Sequence, residues 1–306
     1  MNNVKTLFSI KDLENISGIK AHTIRIWEKR YKLLSPNRTE TNIRWYNTKS
    51  LQKLLNITLL YNDGVKISKI SNLSEEEIIL ESRSIVSEKA VQNLFINEMK
   101  IAMLNFDHTL FESSYQKLKE VLSFNDIYVS YFLPFLHEIG LLWQTDTINP
   151  AQEHFITSLI KQKILVNTEK VQGVAPTRHD NRFVLFLPEN EIHELGLNYT
   201  HYEIIKSGYS SIYLGQSIPI NCLKPFLGYQ DKITFITYFT VEPTSEKIQD
   251  YLNEFDNKII SKCDGELWVL GRKINQIDDI LLPENIKFLK VPEIIETIQK
   301  NSVQLV

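Results

Sequence analysis

Ile19–Tyr46, IKAHTIRIWEKRYKLLSPNRTETNIRWY, decides how the rest of the chain is read. Its first half is a short helix ringed by Lys20, His22, Arg25, Lys29 and Arg30, with Thr23 among them. Pro36 stops helical continuation, because it has no N–H and a fixed φ. Arg38, Arg44, Trp45 and Tyr46 follow in NRTETNIRWY, a segment suited to a β-wing. Basic groups along one edge, anchored by aromatic rings, suit a phosphate backbone. Upstream, Ser9 and Asp12 form a helix-start signature in which each side chain can reach the other's backbone N–H. Ile10, Leu13 and Ile16 then recur every three residues, and Gly18 permits a sharp turn into the basic helix. Helix, glycine turn, second helix is the helix-turn-helix pattern.

With these residues in place, SIKDLENISGIKAHTIRIWEKRYKLLSPNRTETNIRWY resembles the winged helix-turn-helix of the MerR family of transcription regulators. The matching parts are the I-x-x-L…SG-I opening, Arg25-x-Trp27-Glu28, Leu34-x-Pro36-x-Arg38 and Arg44-x-Tyr46. The resemblance covers roughly the first 75 residues. Asn42 stands where many relatives carry Gly, and Asn also tolerates positive φ, so the wing turn should survive. Spacing alone would equally describe a basic, solvated helix; the whole motif set favours the DNA-binding reading. The resemblance implies contacts to double-stranded DNA from Lys20, His22, Thr23, Arg25, Lys29, Arg38, Arg44 and Tyr46.

The chain has 306 residues, 43% hydrophobic and 23% charged, enough for two or three ordinary globular domains. Its net charge of −3 conceals an asymmetry, because residues 1–73 carry +8 and the remainder −11. A basic module on an acidic body points to an anionic partner for that module alone. Cys222 and Cys263 are too few for a disulfide framework and lack metal spacing, so they read as buried thiols. No signal peptide opens the chain and no apolar run reaches bilayer length, which predicts a cytoplasmic protein without a membrane partner.

The predicted order is a winged helix-turn-helix over 1–75, a Ser- and Glu-rich linker over 76–87, a helical-bundle cap over 88–175 and an α/β domain over 176–306. Residues 48–61 repeat apolar residues at helical spacing and end at Asp63-Gly64. Four amphipathic segments, 88–105, 108–122, 125–143 and 150–171, predict a four-helix bundle. The last has a strong start in Asn149, Pro150 and Gln152. From Arg182 the pattern changes to short apolar runs at 182–187, 211–214, 233–239, 267–270 and 286–291, separated by helical segments. That alternation predicts a Rossmann-like parallel sheet with helices on both faces, and ligands bind outside the carboxyl ends of such strands.

Just past the first of these strands lies Pro188-Glu-Asn-Glu-Ile-His-Glu-Leu-Gly196. On spacing alone His193 reads as a surface-loop histidine. Glu191 could orient its imidazole and raise its basicity, and Gly196 lets a flat group approach the backbone. Glu191-x-His193-x-x-Gly196 resembles the motif of cobalamin-binding Rossmann-like domains, which implies His193 as the lower ligand of cobalt and Glu191 as its partner. Gly208–Gly215 resembles that family's second strand, ending in a Y-L-G turn at Gly215. Thr237 stands in the place of its third-strand Ser motif, and Gly271-Arg272 in the place of a Gly-Gly pair. Arg272, Tyr238 and Trp268 would then crowd the cofactor's nucleotide tail. In the bundle, Trp143 followed after nine residues by Glu153-His154 resembles the signature of MerR-type cobalamin photoreceptor repressors. This implies an indole over the upper ligand, with Glu153 and His154 at its polar edge. Gln144 follows Trp143 where a light-sensing relative can carry His.

The expected protein is a three-part, non-enzymatic transcription regulator that senses adenosylcobalamin, as a light sensor in one version, and acts as a dimer or tetramer. One alternative is a MerR-type regulator whose α/β domain has lost the corrinoid and serves assembly or another ligand. A corrinoid methyltransferase module would need a catalytic domain for which no residues remain.

Overall fold

A computed structural model describes residues 7–84, 88–276 and 281–300. The chain divides into two compact units, Met1–Ile160 and Lys161–Val306.

The first unit opens with β1 (Leu7–Phe8) and α1 (Ile10–Ser17). Asp12 N–H donates to Ser9 Oγ at 3.1 Å and Ser9 N–H to Asp12 Oδ2 at 2.8 Å, the reciprocal cap read from sequence. Gly18, at φ 74°, ends α1 in the left-handed region and turns the chain into α2 (Ala21–Tyr31). The wing is β2 (Asn37–Arg38) and β3 (Arg44–Asn47), with Asn42 at φ 64° in its turn. β3 pairs antiparallel with both β1 and β2. Asn47 then caps α3 (Thr48–Asn62), which buries Leu51, Leu54, Leu55, Leu59 and Leu60 and leads through α4 (Ile67–Ile70).

Where a linker was expected, the chain forms α5 (Glu75–Ser84), packed on α3 with Ile78 only 1% exposed. The cause is a second reciprocal cap: Glu77 N–H donates to Ser74 Oγ and Ser74 N–H to Glu77 Oε2. The bundle follows as α6 (Glu88–Asn105), α7 (His108–Lys119), α8 (Phe124–Ile127), α9 (Leu133–Gln144) and α10 (Pro150–Gln172). The third expected segment is not one regular helix, because a π-helical turn, Tyr128–Phe132, separates α8 from α9. Pro134 has no N–H to offer the carbonyl of Ser130, and the Gln92 side-chain amide donates to that carbonyl instead. Phe111, Tyr115 and Phe132 stack at the centre, their planes within 14° of one another. At the start of α10, Asn149 and Gln152 exchange side-chain-to-backbone bonds at 3.0 and 3.1 Å, as expected.

The first unit also joins α1 to the bundle. Lys100 of α6, only 7% exposed, donates to the carbonyl of Ile16 at 3.0 Å and pairs with Glu138 of α9. Asn15 Nδ2 donates to Thr147 Oγ1 at 2.9 Å, and Thr147 lies fully buried in the link between α9 and α10.

The second unit is built on a five-stranded, all-parallel sheet in the order β5-β4-β6-β7-β8. The strands are β4 (Arg178–Phe186), β5 (Tyr209–Gly215), β6 (Ile233–Tyr238), β7 (Gly265–Leu270) and β8 (Ile286–Phe288), with α11 (Leu195–Lys206), α12 (Ile248–Lys258) and α13 (Val291–Lys300) between and after them. Alternation along each strand feeds two cores. Val184, Phe186, Phe235 and Leu267 meet Leu252 and Phe255 of α12. Phe183, Leu185, Ile236 and Trp268 meet Leu197 and Ile204 of α11 and Ile294 of α13. Full burial of each such side chain contributes about 1.5–3 kcal/mol before the entropy of ordering it. Contrary to expectation, Cys222 is exposed and Cys263 only half-buried. Among the described residues no helix is long and apolar enough to cross a membrane.

Candidate functional site

The order of the sheet reverses at β4, which lies between β5 and β6. Loops leaving the carboxyl ends of β4 and β6 diverge there, and such switch points are where open α/β sheets bind ligands. Glu191 occupies this point and is fully buried. Its Oε1 accepts from the backbone N–H of Ile192 and His193 at 2.8 and 2.9 Å, and lies 2.6 Å from His193 Nδ1. Its Oε2 accepts from the N–H groups of Thr240, Val241 and Glu242 at 3.2, 2.6 and 2.8 Å. One carboxylate thus ties the loop after β4 to the loop after β6. Burial alone would raise its pKa, but the bonds from His193, Val241 and Glu242 outweigh it and hold it down at about 2.

An ionised Glu191 accepts only, so the short contact assigns the ring proton of His193 to Nδ1. A metal ligand from this ring is therefore Nε2, with its basicity raised by the carboxylate behind it. The side chain of His193 is 49% exposed, so the imidazole stands at the surface of the unit while its orienting partner lies beneath.

The other residues expected around this histidine divide. Gly215 is at φ 83°, a turn that a side chain would strain, and its carbonyl accepts from Leu187 N–H at 2.9 Å. Gly271 is at φ 106°, and a Cβ there would stand 2.4 Å from the carbonyl oxygen of Phe239. Its role is close backbone packing. Gly196 admits a neighbour of its own chain: a Cβ would lie 2.5 Å from Cε1 of Tyr238. The Tyr238 hydroxyl bonds Thr200 Oγ1 of α11 at 2.7 Å, and the ring is 6% exposed. Thr237, next on β6, is fully buried, and its hydroxyl meets no hydrogen-bond partner among the described residues. Successive residues of a strand face opposite ways, so this hydroxyl belongs to the sheet face away from Tyr238. Arg272, expected to crowd a nucleotide tail, is exposed, whereas Trp268 is in the core with Nε1 donating to Glu266 at 2.9 Å.

In the first unit, Trp143 lies near the end of α9 with 47% of its surface exposed, and Leu141, two residues earlier, is 51% exposed. Glu153 and His154 open α10, with His154 Nδ1 3.1 Å from Glu153 Oε2 and the imidazole side chain 73% exposed. The link between the two helices folds back on itself, Thr147 N–H donating to the carbonyl of Leu142 at 3.0 Å.

On the helix-turn-helix, Ile24 and Trp27 turn α2 inward, and Lys20, His22, Arg25 and Lys29 are exposed. His22, Arg25 and Lys29 recur at three- and four-residue steps and so share one face. Thr23 is half-buried, its Oγ1 3.3 Å from His22 Nε2. Arg38 is exposed on the wing and braced by Asn42 Oδ1 at 2.7 Å. One expected DNA contact is corrected. Tyr46 is fully buried, its hydroxyl donating to Glu28, so it holds the wing from inside. Arg44 is half-buried and donates to the other oxygen of Glu28 at 3.2 Å. Glu28 thus anchors the wing to α2. Sequence reasoning also missed Ile26 and Ile43, which are 49% and 63% exposed on α2 and the wing.

Residues 8–77 match the family described as MerR HTH family regulatory protein, and residues 95–166 match the B12 binding domain family. The chain joins a segment matching MerR-type helix-turn-helix regulators to a segment matching the B12 binding domain family. It is similar to the HTH-type transcriptional repressor CarH of Myxococcus xanthus, 24% identical over 69% of this chain and 72% of that protein. The repressor CarA of the same organism is 23% identical over 70% of each chain. In fold, the chain resembles the monomethylamine corrinoid protein of Methanosarcina barkeri, with a TM-score of 0.53 and 11% identity over 71% of this chain and 96% of that one.

The residues of this chain fit a corrinoid unequally. An imidazole oriented through Nδ1 by a buried carboxylate suits the metal. The groove between α11 and β6 does not suit a bulky tail, because Tyr238 already fills the space that Gly196 opens.

Proposed function

We propose that the protein is a DNA-binding transcription regulator whose α/β unit senses an adenosylcorrinoid. The observation that supports this most is the Glu191–His193 pair at the switch point of the sheet. His193 would offer Nε2 to cobalt, Glu191 would hold the ring, and Gly215 would shape the loop beside it. From the resemblance rather than from geometry, Trp143, Glu153 and His154 are the residues proposed to meet the upper substituent. A bound adenosylcorrinoid supplies a cobalt–carbon bond that visible light cleaves, which makes light a testable input. On the DNA side, Lys20, His22, Arg25 and Lys29 would approach the major groove and Arg38 the flanking backbone, with Thr23 beside them, as a dimer or higher oligomer on a pseudo-palindrome. The protein acts here as a regulator, not as a methyltransferase component.

The test is an absorbance titration of the whole protein in the dark with adenosylcobalamin in saturating excess, repeated with His193→Ala. Wild type should take up the corrinoid with the spectrum of an imidazole-ligated cobalt, and His193→Ala should lose that spectrum. DNA retardation measured before and after illumination then reads the output. A wild type that takes up neither adenosylcobalamin nor adenosylcobinamide favours the second reading, a regulator whose α/β unit serves assembly or another ligand. The packing of Tyr238 against Gly196 is the observation on that side.

A further inference from the structure

Ligation by His193 has a consequence for the rest of the ligand. In a cobalamin the lower base is tethered to the corrin and, when a protein imidazole displaces it, it stays attached to the same face. It must then be housed within a tether's length of that imidazole. On the side of His193 that leads into α11, the first helical turn carries Gly196, and Tyr238 of β6 lies against it. The ring is fixed at both ends: its edge packs on Gly196 and its hydroxyl bonds Thr200 Oγ1 at 2.7 Å. Leu197, Phe183 and Trp268 belong with it to one closely packed core. On the other side, Glu191 and the N–H groups of Thr240–Glu242 fill the space with mutual hydrogen bonds. The orphan hydroxyl of Thr237 is on the opposite sheet face and offers this groove nothing. A cavity of about 190 Å³ does exist on the α11 side of the sheet, but it lies toward the amino ends of the strands, lined by Asn181, Tyr209, Lys232 and Thr234.

We infer that Tyr238 is a specificity-determining residue that shuts the groove beside His193, so that the protein prefers adenosylcorrinoids without a lower nucleotide, the cobinamides, over cobalamins. This rests on the corrinoid reading above and fixes which class of corrinoid the site takes.

The experiment is a dark absorbance titration of the full chain with adenosylcobinamide and, separately, adenosylcobalamin, using wild type, Tyr238→Ala and Tyr238→Leu. Cobinamide lacks an internal base to compete with His193, so the deciding quantity is the change of the affinity ratio between wild type and variant. Wild type should bind adenosylcobinamide at least about tenfold more tightly. Tyr238→Ala should shrink the ratio by about tenfold or more, through tighter binding of adenosylcobalamin, with the adenosylcobinamide value as the internal reference of a folded site. If Tyr238→Ala does not fold, Tyr238→Leu keeps an apolar core while removing the ring edge from Gly196, and should shift the ratio in the same direction. Equal or tighter binding of adenosylcobalamin by wild type overturns the inference and leaves the corrinoid reading standing. So does a ratio that folded variants leave unchanged. A wild type that binds neither corrinoid overturns both.

Discussion

At the scale of single residues, two carboxylates do the organising, and each does so through its partners rather than its exposure. Glu191 holds a pKa of about 2 although it is buried, because six hydrogen-bonding contacts converge on its two oxygens. Its folded-state value lies below the unfolded one, so its contribution is present above about pH 4.3 and is lost as pH falls toward the folded value. A depression of this size corresponds to about 3 kcal/mol for so buried a group. Wild type should therefore exceed Glu191→Gln in urea stability at pH 6 and lose about half of that lead by pH 3. A lead independent of pH would sink this assignment. Glu28 organises the wing, where its two oxygens accept from the Tyr46 hydroxyl and from Arg44 Nε. Tyr46→Phe should cost about 1–2 kcal/mol of stability by leaving that carboxylate short of a partner. The salt slope of DNA binding should not move with it. Arg25→Ala should do the reverse, weakening DNA binding and lowering the salt slope by about one while leaving the melting temperature nearly unchanged. The sequence made Glu191 and His193 legible because their spacing is local. It misassigned Tyr46, because a tyrosine in a basic wing reads alike whether its ring points in or out, and only the alternation of β3 against α2 decides.

At the scale of elements, boundaries were most legible where side chains cap backbones. Ser9 with Asp12 and Asn149 with Gln152 mark their helices in the structure as they do on paper. The same signal at Ser74 and Glu77 stands in Ser- and Glu-rich sequence that reads as a linker, yet it starts α5, whose Ile78 is buried. The π turn before Pro134 was not legible, since the donor that serves its Ser130 carbonyl is Gln92, 38 positions earlier in the chain. Long-range pairing hides the tie at Lys100 in the same way. A lysine at 7% exposure bonded to the end of another helix has no local pattern. Lys100→Met keeps the apolar stem but removes the donor to Ile16. It should destabilise the first unit by about 1.5–3 kcal/mol, the worth of a charged hydrogen bond, and speed amide exchange at the carboxyl end of α1. Unchanged exchange in α1 would show that the helix-turn-helix does not depend on this contact.

At the scale of the whole molecule, charge and topology were read with different success. The basic first quarter and acidic remainder follow from counting, and the alternation after Arg182 announces a parallel sheet. The strand order, with β4 between β5 and β6, does not follow from counting, because any of several orders buries the same apolar runs. Yet that order is what brings Glu191 and Thr240–Glu242 together. The charge distribution makes a further prediction. Affinity for duplex DNA should fall steeply and linearly with the logarithm of salt concentration, with a slope set by the few exposed cations of α2 and the wing rather than by the net charge of −3. Duplex binding that is insensitive to salt would remove the DNA reading.

The bond between Asn15 and Thr147 bears on a matter of residue counting. The interval from Trp143 to Glu153 invites explanation by a ligand, as though only the ligand measured it. Thr147 sits midway along that interval and is also the bench on which α1 rests. Lengthening the link by one residue would lift that bench before any ligand arrived. The interval therefore has two rulers, one chemical and one mechanical. A descendant of this chain that gave up its corrinoid would still be held to the second, and would go on carrying the spacing of a sensor it no longer used.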